Sequence, residues 1–499
     1  MNKKSDSIGG IEKFFGSDKY LFTQVGEKKG KSTVTTGKSG YLIYGPYITL
    51  SPGAYSFFVY GQAFESKPDD YIDIVSNDAT KSLGKTSLSE VPGTGILGIM
   101  NISVETECQR VEVRLWVNEK TNIRFDGIEI YNGNYACDFS ILNKSYAKDL
   151  DWSTVLFKSY EKFVNKHVPF FLVIPKNDEK IFIERFNYLK NLGIIKSTPT
   201  ILFEEWVLRQ TGCVIPHGFS GWHIQQVIKL CFSKLGFSKH YVTCDSAQFF
   251  TKPFDYRSTF YIQDRLRTMA REEDRKSKND LFIQVDEKCW LDGAVVNASE
   301  AFDAIDAQFG PLTEKKYHYI GCNGIFDSEI CNRLEQWSYL HGYNGFCGLI
   351  SYAPYEFAWY GSYITYKEPE NFYPIDPDFF VPILDIYSLE KLICGDMPTT
   401  EGRYGYLFQP PASDLVDPEL LYRHILNQTE SAQKYNTGLT EFESTYYDWK
   451  FDYGAVREHH QEALEMENKK LKQKCADLEK RNYELTLSFA KKRNFLKWW

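Results

Sequence analysis

The chain lacks any apolar run near the length of about 20 residues that a membrane-spanning helix needs. It is therefore not read as a helical membrane protein. Its opening residues, MNKKSDSIGGIEKFF, have no apolar signal core, so secretion is not expected. None of the 11 cysteines forms a C-x-x-C pair, and Cys231, Cys347 and Cys394 sit in apolar company. That pattern suits neither a zinc module nor a disulfide scaffold and predicts reduced, buried thiols in a cytoplasmic protein. Basic excess is also missing. A formal net charge of -8 argues against nucleic acid as a partner, since binding there rests on phosphate contacts.

Aromatic residues are abundant instead, at 16% of the chain, with 34 Tyr and 36 Phe. Such residues suit strands and, for Tyr, polar ligand surfaces. The 499 residues suggest about three domains. Residues 17–137 read as short alternating strands. In YGPYITLSPGAYSFFVYG, Ile48 and Leu50 share a face, Pro52-Gly53 turns, and Tyr55, Phe57 and Val59 return. In RVEVRLWV, Val111, Val113, Leu115 and Val117 lie opposite the charges. IRFDGIEIY reads as a further strand, or a pair, with a glycine bend. This pattern predicts an antiparallel β-sandwich. GEKKGKS, Gly26 to Ser32, is one residue short of a phosphate-binding loop and lacks a strand-loop-helix setting, so it is set aside.

Residues 150–400 change period. FFLVIP is a continuous apolar run, as expected of a buried parallel strand. EKIFIERFNYLKNLG reads as a helix ending at Gly193, TPTILFEEWV as strand-like, and GWHIQQVIKLCFSKLG as a helix with Ile224, Val227, Ile228 and Cys231 on its apolar side. HYVTCDSAQFF is the next strand. Alternation of this kind predicts an α/β domain with a mostly parallel sheet and a ligand beyond the carboxyl ends of its strands. Asp178 and Asp245 both follow such strands.

The C-terminal part has a third character. After an irregular extension, 401–458, come Leu464, Leu471, Leu478 and Leu485 at a spacing of seven, with Asn468 and Asn482 at alternate core positions. Residues 459–490 are thus expected to form a coiled coil that pairs two copies as a homodimer. The tail KKRNFLKWW, 491–499, mixes cations with Phe495, Leu496, Trp498 and Trp499, which suits contact with a membrane surface.

Four stretches, VPFFLVIPKNDEKIF, SGWHIQQVIKL, YVTCDSAQFFTKPFD and YEFAWYGSY, occur in that order. Together they resemble a bacterial glycosyltransferase family of GT-A type, often catalogued only as a domain of unknown function and linked to surface polysaccharide synthesis. Its pattern runs V-P-x-x-D, G-W-x-x-Q-Q-x-x-K-L, D-S-D before R/K-P-F, and S-E-Y-x-x-Y-G. The resemblance covers about 155–375. The N-terminal domain resembles carbohydrate-binding-like β-sandwich modules attached to such transferases.

The resemblance implies a nucleotide-sugar donor, a glycan or lipid-linked acceptor, and a divalent cation, Mn²⁺ or Mg²⁺. Asp245 matches the first acid of D-S-D and is the expected metal ligand. Ala247 stands where the second acid belongs. Gln225, Gln226 and Lys229 match the family helix. Gln225 and Lys229 are one helical turn apart, so they share a face, where an ammonium and an amide suit a diphosphate. Asp178 is expected either at the donor or as a helix cap. Glu356 matches the family glutamate and is expected to deprotonate the acceptor hydroxyl, although Tyr355 and Phe357 replace its neighbours. Tyr360 and Tyr363 are expected to face the acceptor or to be plain core. His318 is a further candidate metal ligand, since His can complete a site short of an acid. The expected function is transfer of a sugar to a growing, lipid-linked bacterial surface polysaccharide by a cytoplasmic protein peripheral to the inner membrane. The alternative is a degenerate transferase kept as a glycan-binding or scaffolding subunit.

Overall fold

A computed structural model of the protein describes residues 11–88, 95–165, 167–274, 288–291, 294–312, 315–319, 323–375, 379–394, 403–409 and 412–436. The expected coiled coil at 459–490 and the basic-aromatic tail at 491–499 lie outside these residues, as does 437–458 of the extension. Among the described residues no helix is long and apolar enough to cross a membrane.

The N-terminal strands are β1 (Ile11–Phe15), β2 (Gly26–Lys29), β3 (Ser32–Thr35), β4 (Gly40–Ile43), β5 (Pro46–Leu50), β6 (Gly53–Glu65), β7 (Tyr71–Ser76), β8 (Lys81–Ser87), β9 (Gly95–Val104), β10 (Cys108–Val117) and β11 (Asn122–Asn132). They form two antiparallel sheets. One runs β2-β3-β11-β6-β9 with β1 on β11; the other runs β4-β10-β7-β8 with β5 on β10. Their inner faces meet in a core that includes Phe57, Val59, Val111, Val113, Leu115 and Val117. The Pro52-Gly53 turn does not close a hairpin. β5 pairs with β10 and β6 with β9 and β11, so the chain crosses from one sheet to the other there. IRFDGIEIY is a single strand with a register shift beside Gly127. A Cβ on Gly127 would meet the Phe14 carbonyl oxygen at 2.4 Å, which explains the glycine. GEKKGKS is the β2–β3 hairpin, with Gly30 at φ 60°.

The α/β part begins earlier than 150. Its central strand is β12 (Cys137–Lys144), followed by α1 (Leu150–Phe163), β13 (Phe170–Ile174), α2 (Glu179–Asn191), β14 (Thr200–Phe203), α3 (Glu204–Gln210), α4 (Gly221–Cys231) and β15 (Ser238–Cys244). The order is β14-β13-β12-β15, all parallel, with the strand Ile325–Asp327 added antiparallel at the edge. TPTILFEEWV is therefore half strand and half helix. β12 escapes a hydropathy reading because Ser140, Asn143 and Lys144 interrupt it. Those polar groups are buried: Ser140 bonds the Ser238 hydroxyl (2.7 Å) and Asn143 donates to the Cys244 carbonyl (2.8 Å), while Asn143 Oδ1 has no partner among the described residues.

The two parts share one core. Phe58, Ile96 and Ile99, from β6 and β9, are buried among α/β residues, and the Phe58 ring lies 5.4 Å from that of Phe237. The described cysteines are free thiols.

Candidate functional site

Parallel strands end together, and the loops leaving them form the natural cleft of such a sheet. A cavity of about 630 Å³ opens there, lined by residues that follow β12 and β15, by α4, and by the start of the helix Glu356–Lys367. The extension supplies the opposite wall. Strand Gly405–Phe408 pairs with Gln248–Phe250 directly after CDSA, and the Phe408 N–H donates to the Ala247 carbonyl (2.8 Å). Phe408, Gln409 and Asp414 all line the cleft.

α4 starts after Ser220, whose N–H donates to His223 Nδ1 (3.3 Å). Its apolar side packs inward through Val227, Ile228 and Cys231, while Gln225, Gln226 and Lys229 line the cleft. Lys229 Nζ lies 2.9 Å from Glu356 Oε1 and 3.2 Å from Asp245 Oδ1. Gln225 Nε2 donates to the same Asp245 oxygen (3.2 Å). Glu356 is the first residue of its helix, where the dipole favours a carboxylate. Its backbone N–H, left over by the helix, donates to Gln226 Oε1 (3.2 Å). Gln226 Nε2 is buried without a partner among the described residues.

Burial pushes the Glu356 carboxyl above the usual range, against the pull of Lys229. Burial pushes Lys229 down, but Asp245 and Glu356 outweigh it and hold the ammonium above its usual value. The three groups form a buried acid-base-acid chain with one end at the cleft, since only Asp245 is substantially exposed.

Three residues near this chain escaped the sequence reading. Lys144 ends β12 and pairs with Glu204 at 2.5 Å. Lys148 is largely exposed and 3.3 Å from Asp414. Asp149 lines the same cleft, and burial together with the charge of Asp245 pushes its carboxyl up. The SYAKDLDW segment carries no motif that marks them; only the position of β12 does. Trp222, 47% exposed, forms a wall of the cleft edge-on to Tyr355 at 6.0 Å.

Other expected residues fall elsewhere. Asp178 does not line the cleft; it accepts from the Ala147 N–H (2.7 Å) and so braces the loop that carries Lys148 and Asp149. It makes no side-chain cap. The acceptor-facing reading of Tyr360 and Tyr363 is corrected. Their helix is buried on most sides, the Tyr360 hydroxyl accepts from the Asp327 N–H (2.7 Å), and Tyr363 packs edge-on to Phe309. His318 is also outside the cleft lining, buried in the strand Lys315–His318 against the edge of Phe302.

No group of three or more His, Cys, Asp or Glu among the described residues is placed to hold a metal ion. A hard cation that travels with a diphosphate asks less of the protein, one or two carboxylates with phosphate and water completing its shell. Asp245 and Asp149 fit that lesser requirement.

Residues 138–288 match the profile of a family of unknown function, DUF6492. No curated protein matches in sequence. Solved structures that resemble the chain include glycosyltransferases over about half its length. The WbbM bifunctional glycosyltransferase, apo, is 11% identical with a TM-score of 0.31, over 54% of this chain and 44% of that one. The apo glycosyltransferase GlyE of Streptococcus pneumoniae TIGR4 is 11% identical with a TM-score of 0.29, over 60% and 64%. The alignment thus spans less than two thirds of either transferase. On the sandwich side, the C-terminal CBM6 of LamC, a marine laminarinase from Zobellia galactanivorans, is 13% identical with a TM-score of 0.19, over 25% of this chain and all of that one.

Proposed function

We propose that the protein is a nucleotide-sugar-dependent glycosyltransferase that extends a lipid-linked bacterial surface polysaccharide from the cytoplasmic side of the inner membrane. The observation that carries this reading is the chain Asp245–Lys229–Glu356 inside an open cleft at the carboxyl ends of a parallel sheet. A transferase needs a proton acceptor and a charged place for a leaving diphosphate in one cavity.

In this mechanism the acceptor hydroxyl oxygen attacks the anomeric carbon and its proton passes to Glu356. The bond from that carbon to the diphosphate breaks, and the nucleotide diphosphate leaves with the electron pair. Burial of Glu356 makes it a stronger base than a solvated carboxylate. Lys229 holds its orientation and keeps it ionised. Lys148, the most exposed lysine of the cleft, and Lys144 face the diphosphate. Asp245 and Asp149 would hold a divalent cation that enters with the donor and supplies neutralising charge to its phosphates. Gln225 and Gln226 position the donor through their amides.

A second reading is favoured by one observation: Ala247 lines the cleft where the resemblance puts a second acid. It makes the protein a degenerate transferase that binds glycan or scaffolds other subunits. Incubation with UDP-, GDP-, CMP- and TDP-sugars, with and without Mn²⁺, separates the two. Donor hydrolysis or transfer that Glu356→Gln abolishes supports the enzyme; neither binding nor turnover of any donor removes it. Pairing through 459–490 and membrane contact through 491–499 belong to the same proposal. Sedimentation of the full chain, and membrane fractionation of one ending before Lys491, test them. Unchanged partitioning of the shortened chain removes the membrane contact.

A further inference from the structure

Three thiols meet at the C-terminal end of α4. Cys213 follows the last turn of α3, Cys231 is the last residue of α4, and Cys347 belongs to the helix Gly345–Tyr352. The Cys213 and Cys231 sulfurs lie 3.0 Å apart, and Cys213 is also hydrogen-bonded to the Cys347 thiol. None of the three lines the cleft.

Burial separates their roles. Cys231 and Cys347 are almost wholly out of water, whereas Cys213 is partly exposed beside the open Val214. Hydrogen bonds from the Cys231 and Cys347 thiols, helped by the Lys234 ammonium, hold the Cys213 thiol below its usual range. Burial pushes the Cys231 thiol up, and the contact with Cys213 together with burial does the same for Cys347. The cluster thus presents one accessible thiolate with two protonated thiols beside it, as thiol–disulfide exchange requires. Lys234 is itself fixed: its Nζ donates to the Thr211 carbonyl (2.6 Å) and pairs with Glu335 (2.9 Å). The cluster is not placed as a metal site, since no group of three or more ligands among the described residues is.

We propose that Cys213 and Cys231 form a reversible disulfide, with a low-molecular-weight disulfide of the oxidised-glutathione class as the oxidant. The Cys213 thiolate attacks one sulfur of that disulfide, whose S–S bond breaks, and one small thiolate leaves with the electron pair. Cys231 then gives up its proton and attacks the Cys213 sulfur, expelling the second small thiolate. Two protein thiols are oxidised, and one small disulfide is reduced to two thiols that take up the two protons. The protein sulfurs need to close only from 3.0 Å to about 2.0 Å. The bond closes the loop 213–231, which contains Gln225, Gln226 and Lys229, the residues that α4 brings to the cleft. Oxidation therefore restrains the cleft helix at its C-terminal end, and reduction frees it. A disulfide with one partly exposed sulfur is of the labile, sensing kind rather than a structural staple.

Full-length reduced protein is incubated with oxidised glutathione, alkylated, and peptide-mapped without reduction. A peptide pair joined through Cys213 and Cys231 is expected. Amide hydrogen exchange over 214–230 is expected to slow by about tenfold on oxidation and to recover with dithiothreitol, since closing a loop takes freedom from its open states. Cys213→Ser, at the partly exposed position, should melt like the reduced parent and show neither effect. Cys347→Ala should still form the bond. None of these readouts needs activity, so they stand whether or not the protein is a transferase. Four outcomes overturn the proposal: an unreacted Cys213, glutathione held on Cys213 with no bond to Cys231, a bond from Cys213 to Cys347 instead, or a Cys213–Cys231 bond that leaves exchange over 214–230 unchanged.

Discussion

Lys229 and Glu356 meet 2.9 Å apart with their side chains almost wholly out of water, although they come from helices far apart in the chain. Breaking such a pair costs more than the pair contributes, because the remaining charge is left buried. Lys229→Met leaves Glu356 and Asp245 without their cation. It is expected to lower unfolding free energy by about 3–5 kcal/mol in urea titrations. Adding Glu356→Gln should recover part of that loss, a non-additivity expected of residues in contact.

Glu356→Gln alone keeps the shape of the side chain and removes the proton acceptor. Donor binding should persist while turnover falls by about 10²–10⁴-fold, the contribution of a positioned general base. Calorimetry with the nucleoside diphosphate and a transfer assay read the two effects separately. Equal loss of both would assign Glu356 to donor binding instead.

The raised pKa of Glu356 fixes the direction of two pH effects. The base works only when ionised, so activity should rise with pH through a value above the 4.5 of a free glutamate. Stability moves the other way. Between the unfolded and the raised folded value the native state binds more protons than the unfolded one. The contribution of Glu356 is therefore fully present below the unfolded value and is lost as pH rises through the folded one. Comparing the parent with Glu356→Gln over that range isolates both.

Ala247→Asp places a carboxylate beside Asp245 in the same cleft. Mn²⁺ binding in the presence of UDP, followed by electron paramagnetic resonance, should tighten in this variant and weaken in Asp149→Asn. If Asp149→Asn binds Mn²⁺ like the parent, Asp149 has no part in holding the cation.

Much of this site was legible from the sequence, for a physical reason. β13 is uniformly apolar because it is buried on both faces, and α4 keeps a clean helical stripe, so FFLVI and GWHIQQVIKL identify themselves. The cleft residues on α4 follow from that stripe. β12 does not, since its polar groups find their partners on β15 and at Glu204, which local pattern cannot supply. Asp149 and Lys148 were missed with it. Tyr360 and Tyr363 were left between acceptor and core for the opposite reason. A tyrosine serves a ligand or a core equally well, and here the Asp327 N–H gives Tyr360 an interior partner.

Phe58 tests the shared core. It is 1% exposed and packed on Phe237. Phe58→Ala should cost about 3–5 kcal/mol. Thermal unfolding followed separately by near-ultraviolet signals of the sandwich and by ligand protection of the cleft should then split into two transitions. A single unaltered transition would mean that the two parts do not rely on this contact.

A module on a flexible linker samples many positions; one that shares a core does not. Because Phe58, Ile96 and Ile99 are buried in the α/β core, the cleft and the sandwich keep one separation and one orientation.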